Sequence, residues 1–154
     1  MDEGHDGGEA VKIAIIEDEV ILTMALTLML EDWGHQVVGT ADSEPGAMVL
    51  VKDKRPDLVV MDIRLGRRDS GLLAARLIRA SSDVPIVFCT AYADSPPIQA
   101  QVAAIGNTHL LGKPVDEDQL EWLLRTIDER RRKTIVSTPI FVPQPVLQPA
   151  SNDL

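Results

Sequence analysis

The chain of 154 residues has a single cysteine, no long apolar run and no surplus of positive charge. With Cys89 alone there is no intramolecular disulfide framework. A lone thiol inside the apolar run VPIVFCT reads as a small buried hydrophobe in a reducing compartment. No stretch approaches the roughly 20 apolar residues of a membrane-spanning helix. The formal net charge of -9 argues against nucleic acid as a partner, because neutralising phosphates takes a basic surface. No Gly-rich phosphate loop follows any apolar run, which weighs against a nucleotide binder. The start, MDEGHDGGEA, lacks the basic and apolar regions of a signal peptide, so a cytoplasmic location is expected. There is no internal repeat.

What is present is an alternation. Residues 1–10 are acidic and Gly-rich and are expected to be disordered. From residue 11 to 133, short β-branched or apolar runs alternate with amphipathic segments. VKIAII, QVVGTA, DLVVMD, VPIVFCT and HLLGK read as strands. Helices are expected between and after them. The first has an apolar face of Ile21, Leu22, Ala25, Leu26, Met29 and Trp33, closed by Gly34. The second is N-capped by Ser43. The third runs from Leu72 to Ala80, and the fourth from Ser95 to Ile105 with two early prolines. The last extends from Asp116 to about Lys133, with Leu120, Leu123, Leu124 and Ile127 on one face. Five strand–helix repeats imply an α/β fold with a parallel sheet covered on both faces. The expected form is a flavodoxin-like doubly wound (βα)5 domain with strand order 2-1-3-4-5. Residues 134–154 hold Pro139, Pro143, Pro145 and Pro149 and no helical period, and are expected to form an extended or disordered tail.

In such sheets ligands lie at the carboxyl ends of the strands. Strand one ends in Glu17-Asp18, strand three in Asp62, strand four in Thr90 and strand five in Lys113-Pro114. Any one of these has a dull explanation as a helix cap or a solvated charge. Together they form a site. Clustered carboxylates raise one another's pKa, and a divalent cation relieves that conflict. Magnesium, with its preference for oxygen ligands and retained waters, suits the set. Asp62 would be ligand and nucleophile at once, and attack on a phosphoryl group would give an aspartyl phosphate. Lys113 would neutralise charge on the equatorial oxygens and Thr90 would donate a hydrogen bond to one of them.

The set KIAIIEDE, DLVVMD, FCTAY and GKP resembles the receiver domain of two-component response regulators, over about Val11 to Arg132. The resemblance implies that Asp62 is the phosphoacceptor. It implies that Asp18 and Asp62 bind Mg2+ directly (Mn2+ could substitute), that Glu17 acts through water, and that the backbone carbonyl of Arg64 completes the protein ligands. Thr90 is then the switch hydroxyl, Lys113 the phosphate-contacting lysine, and the Lys113–Pro114 bond cis. The donor would be a phosphohistidine on a sensor histidine kinase or a histidine phosphotransfer protein. The output would be an altered protein contact, a relay or a phosphate sink, with neither nucleic acid nor membrane as partner. The face formed by helix four, strand five and helix five would meet the downstream protein or a second copy in a homodimer. The alternative is a receiver fold kept as a phosphorylation-independent scaffold.

The sequence departs from the usual receiver in three places. After the phosphoacceptor it reads IRLGRRDSG, with no Met-Pro and one extra residue before Gly71. Leu110 stands where most receivers carry an aromatic three residues before the lysine. An aromatic occurs instead at Tyr92, and PIVFCTAY resembles the PxxFATGY signature of the FAT GUY receivers, with Cys89 and Ala91 in place of its Ala and Gly; Tyr92 then either takes over signalling or serves as ordinary packing. Arg64 occupies the place where haloacid-dehalogenase phosphotransferases carry a general acid, so the domain is not expected to be an enzyme beyond its own phosphorylation and slow dephosphorylation. Trp33 and Trp122 are expected in the core. Arg130, Arg131, Arg132 and Lys133 are expected to serve the negative end of the last helix.

Overall fold

A computed structural model describes residues 10–66 and 70–137, with side chains to 134. The elements are β1 (Lys12–Ile16), α1 (Val20–Asp32), β2 (Gln36–Ala41), α2 (Glu44–Lys54), β3 (Leu58–Asp62), α3 (Ser70–Arg79), β4 (Ile86–Thr90), α4 (Pro96–Ile105), β5 (Thr108–Gly112) and α5 (Glu117–Ser137). The five strands form one sheet in the order β2-β1-β3-β4-β5, and every pair is parallel. This is the doubly wound fold that the alternation predicts.

The sheet's position follows from its residues. β3 and β4 are buried along their whole length, and β1 in all but its first residue. Strands covered on both faces need apolar residues without alternation. The edge strands β2 and β5 are only half-buried. Successive side chains then divide between two cores. Ala14, Ile16, Val59, Met61, Ile86 and Phe88 pack with Ala47 of α2, Leu72, Ala75 and Ile78 of α3, and Val102 of α4. Ile13, Ile15, Leu58, Val60, Val87 and Cys89 pack with Leu26 and Leu30 of α1 and Leu120, Leu123, Leu124 and Ile127 of α5. Each fully buried aliphatic or aromatic side chain contributes about 1.5–3 kcal/mol relative to exposure.

Local signals work as expected at several ends. The Ser43 hydroxyl accepts from the Gly46 N–H at 3.2 Å and caps α2. Gly34 closes α1 at φ 88°, where a side chain would be strained. Asp116 accepts from the Gln119 N–H at 3.0 Å at the start of α5.

Four expectations need correction. Ile21 is 83% exposed and Ala25 is exposed, whereas Leu30 is fully buried. The helix VILTMALTLMLED is apolar nearly all round, so its pattern does not select a stripe. Trp122 is not core but 67% exposed. It follows Leu120 by two residues, about 200° around the helix, so it points away from the stripe of Leu120, Leu123, Leu124 and Ile127. α5 runs to Ser137, past Lys133 and into the segment expected to be a tail. The first pattern opposing a helix there is Thr138-Pro139, since the residue before a proline avoids the helical region. The basic run therefore lies within α5, and its last turn holds no basic residue. Arg131 pairs with Asp57 and Asp128 at 3.0 Å each, and Arg132 with Asp128 at 3.0 Å. Residues 1–9 and 138–154, where disorder and a tail are expected, lie outside the described residues. Among the described residues no helix is long and apolar enough to cross a membrane.

Candidate functional site

The parallel register brings the strand ends to one edge. Asp62 lies opposite Cys89, and Thr90 opposite Gly112. Glu17 follows β1 directly, and its N–H donates to the Ala41 carbonyl at 2.9 Å, prolonging the β1–β2 pairing by one residue. Lys113 follows β5, and its N–H donates to the Thr90 carbonyl at 2.9 Å. Both side chains are thus fixed by backbone pairing.

Glu17, Asp18 and Asp62 each present a carboxylate oxygen, all within 4.8 Å of one another. The Lys113 ammonium reaches across from the far side of the sheet. It donates to Asp62 Oδ2 at 2.9 Å and to Glu17 Oε2 at 3.2 Å, and lies 4.0 Å from Glu19. Asp62 Oδ1 accepts from the Arg64 N–H at 3.1 Å. Asp18 Oδ2 accepts from the Gly66 N–H at 2.8 Å, tying the loop after β3 to the loop after β1. Glu17 Oε1 accepts from the Glu19 N–H at 3.2 Å. Oxygen donors of this kind fit magnesium.

Glu17, Asp62 and Thr90 are all buried. Burial, and then the charge of Asp62, raise the Glu17 carboxyl from 4.5 to about 7, against the opposing pull of the Glu19 N–H and Lys113. Burial works against the Lys113 ammonium, but its hydrogen bond and charge interaction with Asp62, followed by Glu17, leave its pKa above the usual lysine value.

The raised Glu17 pKa sets a stability window. Below pH 4.5 both folded and unfolded chains keep the Glu17 proton; between there and about pH 7 the unfolded chain releases it first. Stability then falls as pH rises, because the folded state binds more protons. The metal-free protein is expected to lose melting temperature across this window, while millimolar magnesium flattens the profile by stabilising the ionised cluster. Melting curves against pH check this. An equal slope in Glu17→Gln would assign the effect to other groups.

Cys89 sits beside this cluster in β4 and is buried. Burial pushes its thiol up to about 12, reinforced by Asp62 and Glu17 and opposed by Lys113. A thiolate is the reactive form. At pH 8 a thiol reagent is therefore expected to leave the native protein unmodified and to label it once unfolded. Rapid native labelling would overturn the assignment of Cys89 to the core.

The remaining residues of interest line the rim. Thr90 Oγ1 accepts from the Tyr92 N–H at 3.2 Å. Tyr92 itself is 51% exposed, and the Arg64 guanidinium lies over its ring, 5.0 Å from the centroid. The Lys113–Pro114 bond is cis. Leu110 packs half-buried against the core shared with α4. A position whose role the motifs did not show is Gly71, whose N–H donates to the Ile63 carbonyl at 3.0 Å. A Cβ there would lie 2.0 Å from the Asp62 carbonyl oxygen. The sequence marks it as a glycine closing the stretch IRLGRRDSG, just before the expected third helix.

The profile of the response regulator receiver domain matches residues 13–125. The chain belongs to this family. Receivers act in two-component signalling. The phyllosphere-induced regulator PhyR of Methylorubrum extorquens is 39% identical over 84 residues, 54% of this chain and 32% of the relative. The transcriptional regulatory protein PdtaR of Mycobacterium tuberculosis is 40% identical over 81 residues, 53% of this chain and 39% of the relative. The receiver thus spans less than half the length of these curated relatives. The solution structure of the PhyR receiver domain of Erythrobacter litoralis matches with a TM-score of 0.67 at 30% identity, over 77% of this chain and 89% of that one.

Proposed function

We propose that this receiver takes a phosphoryl group from a phosphohistidine of a sensor kinase or histidine phosphotransfer protein onto Asp62, and that the phosphorylated form changes its protein contacts. The observation that carries this reading is the Lys113 ammonium 2.9 Å from Asp62, beside two further carboxylates within reach of a shared cation. An Asp62 oxygen attacks phosphorus, the phosphorus–nitrogen bond breaks, and its electron pair stays on the departing imidazole. Asp18, Asp62 and the Arg64 carbonyl, with Glu17 acting through water, would hold a magnesium ion, which would supply positive charge for the phosphoryl oxygens. Lys113 is a compact cation on a flexible stem and turns from Asp62 to the new phosphoryl oxygens. Thr90 offers its hydroxyl proton to another. No general acid stands at Arg64, so the acyl phosphate persists as a signal.

The output would be read at α4, β5 and α5, where β5 is only half-buried and Trp122 is exposed. A downstream protein or a second copy of the chain would dock there, and Tyr92 would report the state of the site. Incubation with magnesium and acetyl phosphate, followed by intact mass measurement, tests the reading. One stable phosphoryl adduct is expected. Absence of an adduct would favour a phosphorylation-independent scaffold, and free phosphate released with rapid turnover a phosphatase.

A further inference from the structure

The two loops flanking Asp62 are joined across their outer surface by a contact that the phosphoacceptor chemistry leaves unused. Arg64, in the loop after β3, places its guanidinium over the ring of Tyr92, in the loop after β4. It also donates to the Tyr92 hydroxyl at 3.5 Å. Each partner is rooted next to a reacting group. The Arg64 N–H is on Asp62 Oδ1 at 3.1 Å, and the Tyr92 N–H is on Thr90 Oγ1 at 3.2 Å. Both loops are thus one hydrogen bond away from the atoms that a phosphoryl group would engage.

Arg64 and Tyr92 are both exposed, and an exposed cation–π contact is weak. A hydrogen bond of 3.5 Å adds little, being at the outer limit of useful geometry. A phosphoryl group on Asp62 would bring three acceptor oxygens and close to two negative charges to the root of the Arg64 side chain. A planar guanidinium binds such a group through two parallel charge-assisted hydrogen bonds, which a neutral ring and a phenol oxygen do not match.

We propose that Arg64 holds Tyr92 in the unphosphorylated receiver and releases it by turning its guanidinium to the phosphoryl oxygens on Asp62. The inference rests on the phosphoacceptor reading and adds its read-out. The same event acts on both tethers of Tyr92, because Thr90, which accepts the Tyr92 N–H, also turns to the phosphoryl group. The freed ring, with its apolar body and polar tip, is then available to a partner protein.

Tyr92 is the chain's single tyrosine, so incorporation of 3-fluorotyrosine gives one fluorine resonance that reports on it alone. In wild type, magnesium with acetyl phosphate is expected to shift that resonance as the phosphoryl adduct appears by mass. Arg64→Gln is expected to lie near the phosphorylated position before any donor is added, and to lose most of the phosphorylation-dependent shift. Arg64→Lys, which keeps the charge without the planar fork, is expected to fall between. An Arg64→Gln protein that starts at the wild-type position and shifts by the wild-type amount, at equal adduct, would overturn the role of Arg64. A wild-type resonance that stays fixed while the adduct forms would overturn the release of Tyr92. Failure of the wild type to gain any phosphoryl mass would instead overturn the underlying phosphoacceptor reading.

Discussion

Asp62→Asn protein incubated with magnesium and acetyl phosphate is expected to gain no phosphoryl mass, under conditions that give one adduct on the wild type. The amide keeps the shape of the carboxylate but is a poor nucleophile and carries no charge for a cation. The fold should survive the change. Lys113 retains Glu17 as a partner at 3.2 Å, and the loss of the Asp62 charge removes one of the two influences that raise the Glu17 carboxyl. Lys113→Ala serves as the companion variant. It leaves the nucleophile in place and removes the ammonium 2.9 Å from it, so phosphoryl uptake should slow by about 10²- to 10³-fold, the range for removing one electrostatic group at a transition state. An adduct that forms at the wild-type rate in Asp62→Asn would place the acceptor elsewhere and end the proposal.

Gly71→Ala should cost more stability than alanine at Gly39, Gly46 or Gly112, because its new methyl meets only backbone. The new Cβ would lie 2.0 Å from the Asp62 carbonyl oxygen, 2.8 Å from the Ile63 carbonyl oxygen and 2.9 Å from the Ile63 Cα. All three are backbone atoms, so no flexible side chain can yield. α3 would have to move off β3 and stretch the hydrogen bond from the Gly71 N–H to Ile63. Overpacking of this kind costs about 3 kcal/mol, or roughly 6–12 °C of melting temperature for a domain of this size. Because the displaced backbone carries Asp62, phosphoryl uptake should fall along with stability. Gly39→Ala is the matched control. Its Cβ would meet Leu50 Cδ1 at 2.5 Å, the far end of a flexible side chain, so a much smaller loss is expected. Equal melting temperatures for Gly71→Ala and wild type would show that the α3–β3 junction is looser than the close approach implies.

The fold was legible because its strands are short, β-branched and buried on both sides, and because the helices between them have their own start and stop signals. Glu17, Asp18, Asp62 and Lys113 were legible for a related reason. Each lies at or just beyond the last residue of a strand, and parallel strands must end on the same edge. What was hidden depended on choices that a linear pattern does not make. α1 is apolar around most of its circumference, so only packing against β1 and α5 decides that Leu30 goes in and Ile21 stays out. The hydrophobicity of Trp122 alone points to the core, although leucine and isoleucine already fill the α5 stripe. Arg131 has the sequence setting of a helix-end charge, yet it ties α5 to Asp57, 74 positions earlier in the chain. The Arg64–Tyr92 contact joins loops whose separation in space no spacing rule gives.

The ammonium that balances the acidic edge arrives 96 positions after Glu17 and 51 after Asp62. During synthesis Asp62 and its acid neighbours therefore emerge from the ribosome well before their counter-charge. A nascent receiver that stops short of residue 113 holds its carboxylates without the cation that follows β5, so the charge balance of this edge is completed late in synthesis.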